Sequence, residues 1–200
     1  MNKKNIMIIV FIFIAIYLIN CYSISEPFQD KKYYFVLVAI FKNENDYLDE
    51  WINFHLSNDI DHLYLYDNND NAGDDVVTNT IINKYRDDIT YIKWNNVPND
   101  KLYTVQRKAY QNCVDKYHSE FQWLGLCDLD EFIYSSDKNK NIKEIIKEYT
   151  NNKTPAIKVP RYNFGNNGHI NKPNGGVIEN YTKREAKFSS YKAISNIDFI

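Results

Sequence analysis

The chain has 200 residues, 44% of them hydrophobic and 16% aromatic, which is enough for one well-packed domain and short for two. A formal net charge of -2 leaves no concentrated basic face, which argues against a nucleic-acid partner. The three cysteines contain no CxxC pair, so a structural zinc site is not expected.

Lys3 and Lys4 precede the apolar run IMIIVFIFIAIYLI at 6–19. The run is short of the ~20 residues that a membrane span usually takes, but it suits a signal anchor or a cleaved signal peptide over residues 1–25, with a polar linker at 26–32. It has no polar face, unlike an amphipathic core helix. The basic flank predicts a cytoplasmic amino end and a lumenal remainder. That describes a single-pass type II membrane protein of the secretory pathway, or a secreted protein if the signal is cleaved. Asn152-Lys153-Thr154 and Asn180-Tyr181-Thr182 are then glycosylation acceptors. Cys113 and Cys127 are left either to pair or, the preferred reading, to be two buried thiols.

YYFVLVAIF (33–41) is a continuous apolar, β-branched run, predicting a central strand buried on both faces. KNENDYLDEWINFHL (42–56) predicts a helix capped by Asn43 or Asn45, with Leu48, Trp51, Ile52 and Leu56 on its inner stripe. Tyr47 and Trp51 fit core packing, and His55 fits a hydrogen-bonded buried histidine. HLYLYD (62–67) reads as a second strand, followed by an Asn/Asp/Gly loop at 68–75. VVTNTIINKY (76–85) reads as a helix, ITYIKW (89–94) as a third strand, LYTVQRKAYQNCVDKYH (102–118) as a longer helix and FQWLGLCDLD (121–130) as a fourth strand. Strands alternating with helices predict an α/β fold with a parallel, Rossmann-like sheet that binds ligands beyond the carboxyl ends of its strands.

The fourth predicted strand ends in acid. Period-two alternation puts Asp128 and Asp130 on one face and Leu129 on the other. Like charges held this close either raise each other's pKa or require a cation, and oxygen ligands favour magnesium or manganese. A D-x-D phosphatase of the haloacid-dehalogenase type is set aside because its acids follow the first strand. An EF-hand beginning at Asp67 fails because Ala72 and Thr78 stand where its glycine and bidentate acid belong.

KNENDYLDEW (42–51) with Phe54-His55, LYLYDNN (63–69), a helix carrying Gln106, and WLGLCDLDEF (123–132) occur in an order and at a spacing that resemble glycosyltransferase family 92 and the related family 2-like transferases. RYNFGNNGHINKPNGGVIENYTKR (161–184) is similar to a later segment of the same families. The resemblance implies a GT-A fold over residues 33–200, a mostly parallel sheet flanked by helices. It implies inverting, manganese- or magnesium-dependent hexosyl transfer from a nucleotide-sugar donor to a glycan or glycoprotein hydroxyl. UDP-sugars, UDP-galactose among them, are the candidate donors.

By the same resemblance Asp130 holds the metal, with Asp128 at the ribose, at a metal-bound water or at the metal itself. By their positions in the chain, Lys42, Asn43 and Glu44 past the first strand and Asp67 and Asn68 at the end of the second are expected to line the nucleotide pocket. Gln106, early in the third helix, is expected to face phosphate, and Arg107 to be either a phosphate contact or a surface charge. Glu179, after the loop expected to cover the acceptor side, is the candidate general base. His169 has a weaker claim to substrate contact. The family's later metal-ligating histidine has no counterpart before Ile200, so the domain is expected to be incomplete at its C-terminus. The competing reading is a catalytically inactive glycan- or nucleotide-binding module.

Overall fold

The computed structural model describes residues 31–95, 102–151 and 153–200. The expected anchor, most of the linker and Asn152 of the first sequon lie outside the described residues. Among the described residues no helix is long and apolar enough to cross a membrane.

Strand β1 (Tyr33–Phe41) is buried from Phe35 to Phe41 and is the spine of a six-stranded sheet. Its side chains alternate between two hydrophobic layers, as the period of an extended chain demands. Phe35, Leu37, Ala39 and Phe41 face Leu48, Trp51 and Ile52 of α1 (Asn45–Ser57) and Ile142 and Ile146 of α4 (Ile142–Tyr149). Ile81 and Ile82 of α2 (Val76–Lys84) pack on the same layer. Val36, Val38 and Ile40 face Val105, Ala109 and Cys113 of α3 (Leu102–Tyr117). Burying each such large side chain contributes roughly 1.5–3 kcal/mol, which is why the uninterrupted run 33–41 takes the centre.

Strand β2 (His62–Asp67) pairs with β1 and β3 (Ile89–Lys93) pairs with β2, both parallel, while β4 (Phe121–Leu126) pairs parallel with the other side of β1. The chain therefore reverses its direction of travel across the sheet between β1 and β4. In an open α/β sheet, ligands bind at such a switch point.

Beyond β4 the sheet turns antiparallel. Strand β6 (Ser190–Asn196) runs against β4, and β5 (Ala156–Arg161) runs against β6, giving the order β3-β2-β1-β4-β6-β5. The sheet is thus mixed and mostly parallel, as the family resemblance implied; the alternation of strands and helices alone predicted a parallel one and did not show the antiparallel pair.

Two boundaries also differ. Strand β4 stops at Leu126, not at Asp130. Its ladder to β6 covers only Trp123–Gly125, and after Cys127 N donates to Val38 O (3.1 Å) the chain closes a turn from Glu131 N to Asp128 O (3.0 Å). The alternation outlasts the strand, since Cys127 and Leu129 remain buried and Asp130 exposed. Helix α1 is preceded by Glu44, with no side-chain cap, in place of the expected Asn43 or Asn45. Asn45 instead donates to Thr78 Oγ1 at 2.7 Å, tying α1 to α2. Cys113 and Cys127 are free thiols buried in opposite layers of the sheet, in agreement with the preferred reading.

Candidate functional site: an acid turn at the switch point

The end of β1 is shaped by an asparagine. Asn43 adopts φ 60°, the left-handed region that asparagine tolerates better than most residues, and its N–H donates to Asn69 Oδ1 at 2.7 Å. Asn69 is buried after β2 and also donates to Asn45 Oδ1 (3.0 Å) and Asp67 Oδ1 (2.7 Å). Asp67 is fully buried, and its other oxygen accepts the Tyr91 hydroxyl at 2.6 Å. Its carboxylate therefore holds the loop from inside. The sequence reading stopped at Asn68 and missed Asn69, the second asparagine of Y-D-N-N. Lys42 is exposed beside Asp70 at 2.8 Å, and Asn68 is half-buried with its N–H on Phe41 O.

Past this bend, Glu44 is within electrostatic reach of the acids after β4. Burial raises the Glu44 pKa first, and the charge of Asp130 raises it further, against a backbone hydrogen bond at Lys42 that lowers it; Asp128 adds to the rise. Asp128 is anchored from α3, where Gln106 donates to its Oδ1 at 3.0 Å and the Tyr110 hydroxyl lies 3.4 Å from the same oxygen. Two expected site residues, Gln106 and Asp128, thus meet directly. Arg107, one residue on, is exposed and forms no hydrogen bond or ion pair among the described residues.

The turn itself is held by α1. The Trp51 indole N–H is shared between Asp128 O (3.0 Å) and Glu131 O (2.9 Å). One turn further along, His55 Nδ1 donates to Trp51 O at 2.9 Å while Nε2 accepts from Ile133 N at 3.1 Å, which fixes the tautomer. Glu131 takes Lys192 Nζ at 2.6 Å, Arg161 Nη1 at 3.3 Å and the Asp128 N–H at 3.1 Å. Lys192 also lies 3.3 Å from Asp128 Oδ2. Burial works to lower the Lys192 pKa, but its bonds and charge interactions with Glu131 and Asp128 outweigh it and leave the pKa raised. Asp130 alone of these acids is exposed and free of hydrogen bonds and ion pairs among the described residues.

The glycine-rich segment is pinned to the same helix. Glu50, next to Trp51, accepts from Val177 N (2.6 Å) and Ile178 N (3.1 Å) of α5 (Val177–Asn180), and Lys172 pairs with Asp46 at 2.7 Å. A Cβ on Gly176 would sit 2.3 Å from Glu50 Oε1, so a larger residue here would have to displace the Glu50 carboxylate from the two N–H groups it accepts. Glu179 is exposed on α5, and no hydrogen bond or ion pair joins it to the acid turn among the described residues. His169 packs edge-on to Tyr181. Asn180 of the second sequon donates its Nδ2 to Asn174 O and Gly176 O, at 2.9 and 2.8 Å.

Residues 32–197 match the model of glycosyltransferase family 92. The chain belongs to that family. A family 92 protein of Oryza sativa subsp. japonica is 24% identical over 87% of this chain and 29% of its own length. Relatives in Ricinus communis and Arabidopsis thaliana are each 26% identical, over 82% and 76% of this chain. The chain spans about three-tenths of the length of these curated relatives. Among solved structures, a mannosyltransferase of Pyrobaculum calidifontis in complex with GDP-Man and Mn2+ is similar at a TM-score of 0.45 and 11% identity, covering 74% of this chain and 43% of its own.

Within this family 92 domain the sequence reading also missed, around the acid turn, Trp51 as a donor, Glu131, Arg161 and Lys192. The first two lay inside quoted motifs as an expected core residue and an unassigned acid. The two cations come from antiparallel strands that the periodicity did not reveal.

The two buried imidazoles yield a prediction about acid. Burial lowers the pKa of His55 to about 4, against a backbone hydrogen bond at Trp51 that raises it, and burial with the nearby Lys32 charge takes His62 to about 4 as well. Both stay neutral in the folded chain where the unfolded chain, with a histidine pKa near the ordinary 6.5, takes up protons. Stability should therefore be full above about pH 6.5 and fall steadily towards pH 4, by roughly 3 kcal/mol for His55. Urea unfolding at steps between pH 7 and 5, above the carboxylate range, reads this directly. A stability flat across that interval would contradict it.

Proposed function

We propose that this chain is the nucleotide-sugar-binding part of a GT-A-type glycosyltransferase that moves a hexose, with inversion, to a hydroxyl of a glycan or glycoprotein. The observation that carries the reading is the placement of Asp128 and Asp130 just past β4 at the switch point between β1 and β4, with Glu44 within their electrostatic reach, in a chain of family 92. Lys192 answers Asp128, but Asp130 has no cation beside it among the described residues, which leaves its carboxylate open to a metal ion.

The donor chemistry fits manganese or magnesium within limits. Among the described residues no three His, Cys, Asp or Glu side chains lie close enough to cage an ion. Magnesium-type ions are commonly held by one or two carboxylates plus substrate phosphates, and Asp130, exposed and unpaired, is the carboxylate best able to serve. Such an ion supplies positive charge to the departing diphosphate. Asp128, fixed by Gln106 and Tyr110, is assigned to the ribose or to a metal-bound water. Lys42, Asn43, Glu44 and Asn68 border the nucleotide from β1 and β2, while Asp67 supports that border from within. Arg107 is assigned to phosphate and Glu179 to deprotonation of the acceptor hydroxyl. The domain is proposed to face a secretory lumen behind the anchor at 1–25.

Calorimetric titration of UDP, GDP and ADP and their sugars, with and without manganese, tests the reading. Binding of one nucleoside diphosphate that strengthens with manganese is expected, and sugar transfer or donor hydrolysis separates the enzyme from the inactive binding module that the incomplete carboxylate cage also allows. No nucleotide bound under either condition would falsify both.

A further inference from the structure

We infer that Lys192 is a cation built into the phosphate site, able to hold a nucleoside diphosphate without a divalent ion; this rests on the nucleotide-binding reading above. Lys192 is carried by β6, whose register against β5 sets it opposite Val159, with Arg161 two residues further along β5. Both side chains reach back over the end of β4 to the acid turn. The Lys192 side chain is only 28% exposed, and two carboxylates engage its ammonium: Glu131 at 2.6 Å and Asp128 at 3.3 Å. An ammonium has three N–H donors, so one remains after these two contacts.

Charge and tether separate its role from that of an ordinary surface lysine. Glu131 is the more buried partner, 17% exposed, and is itself fixed by Arg161 and by the Asp128 N–H. The lysine is therefore held in place before any ligand arrives, with little side-chain entropy left to lose. Asp128 is the point where the two cations of the proposed site compete. A lysine within reach of its Oδ2 weakens the pull of that oxygen on a metal while presenting positive charge to a diphosphate oxygen.

Removing Lys192 should thus move two measurements in opposite directions. In EDTA, the full-length wild type is expected to retain measurable affinity for the nucleoside diphosphate it binds, with UDP the first probe. Lys192→Met should weaken this by about 10-fold or more, the loss expected for a charged contact, Lys192→Arg by less, and uridine binding should not change. Mn2+ alone, followed by its paramagnetic resonance signal, should bind Lys192→Met more tightly than the wild type, because Asp128 and Glu131 have lost their counter-cation.

A merely structural lysine would leave a loosened turn that binds both probes less well, and that outcome overturns the proposal. So does equal UDP affinity of wild type and Lys192→Met in EDTA, or no wild-type binding in EDTA, while manganese-dependent binding leaves the proposed function standing. Absence of binding with and without manganese overturns the proposed function as well.

Discussion

Asp130→Asn is expected to abolish manganese-dependent nucleotide binding while leaving the fold intact. The side chain is exposed and unpaired among the described residues, so the amide replaces it with no internal contact to break. What is lost is the charge that would hold the ion. Residues that merely support metal ligands already change metal affinity by roughly 10- to 100-fold, so loss of a direct ligand should reach about 100-fold or beyond. Asp128→Asn should do less, about 1.5–3 kcal/mol, as expected for one hydrogen bond to a charged group. Titrations on folded proteins, with circular dichroism as the control, decide the matter. A folded Asp130→Asn that binds nucleotide and manganese like the wild type would leave the acids as a charged loop and nothing more.

The largest effect on stability is expected at Trp51. Its side chain is fully buried between the sheet and α1, and its N–H joins the Asp128 and Glu131 carbonyls. Trp51→Ala should cost about 3–5 kcal/mol from the lost volume alone, and the orphaned carbonyls add to it. That is a large share of the ~5–15 kcal/mol by which a domain is ordinarily stable. Trp51→Phe separates the two contributions. It keeps most of the ring and removes the donor, so a smaller loss of about 1–3 kcal/mol is expected, with faster amide exchange at Asp128 and Glu131. Urea unfolding and hydrogen exchange measure both. If Trp51→Phe matches the wild type in each, the indole N–H is incidental to the turn.

The legible part of the chain runs from Tyr33 to Leu126. Each strand there is an apolar or alternating run closed by a turn signal, and each helix shows an inner stripe, so periodicity and composition agree. Beyond Leu126 they part. Strand β5, AIKVPR, is exposed along much of its length and contains Pro160, while β6, SYKAISN, reads as polar; their pairing depends on each other and on the edge of β4. Such strands are stabilised by neighbours distant in sequence and leave little local pattern. The acids were legible by residue type and by alternation, because Leu129 is buried between Asp128 and Asp130. Their partners were not, since nothing local links Gln106, Trp51 or Lys192 to residue 128.

The antiparallel addition of β6 to β4 also has a consequence for synthesis. A ribosome emits the chain from the N-terminus at roughly 5–20 residues per second, and domains begin to organise as they emerge. Strands β1 to β4 and the acid turn are therefore complete before Arg161 and Lys192 exist. For those seconds the turn carries its acids without their counter-charges, and the outer edge of β4 offers unpaired backbone to any neighbouring strand, the circumstance that favours aggregation. Arrival of β6 closes that edge, brings Lys192 to the turn and gives β5, which carries Arg161, the strand it pairs with, so nascent chains halted between β4 and β6 are expected to be the aggregation-prone species.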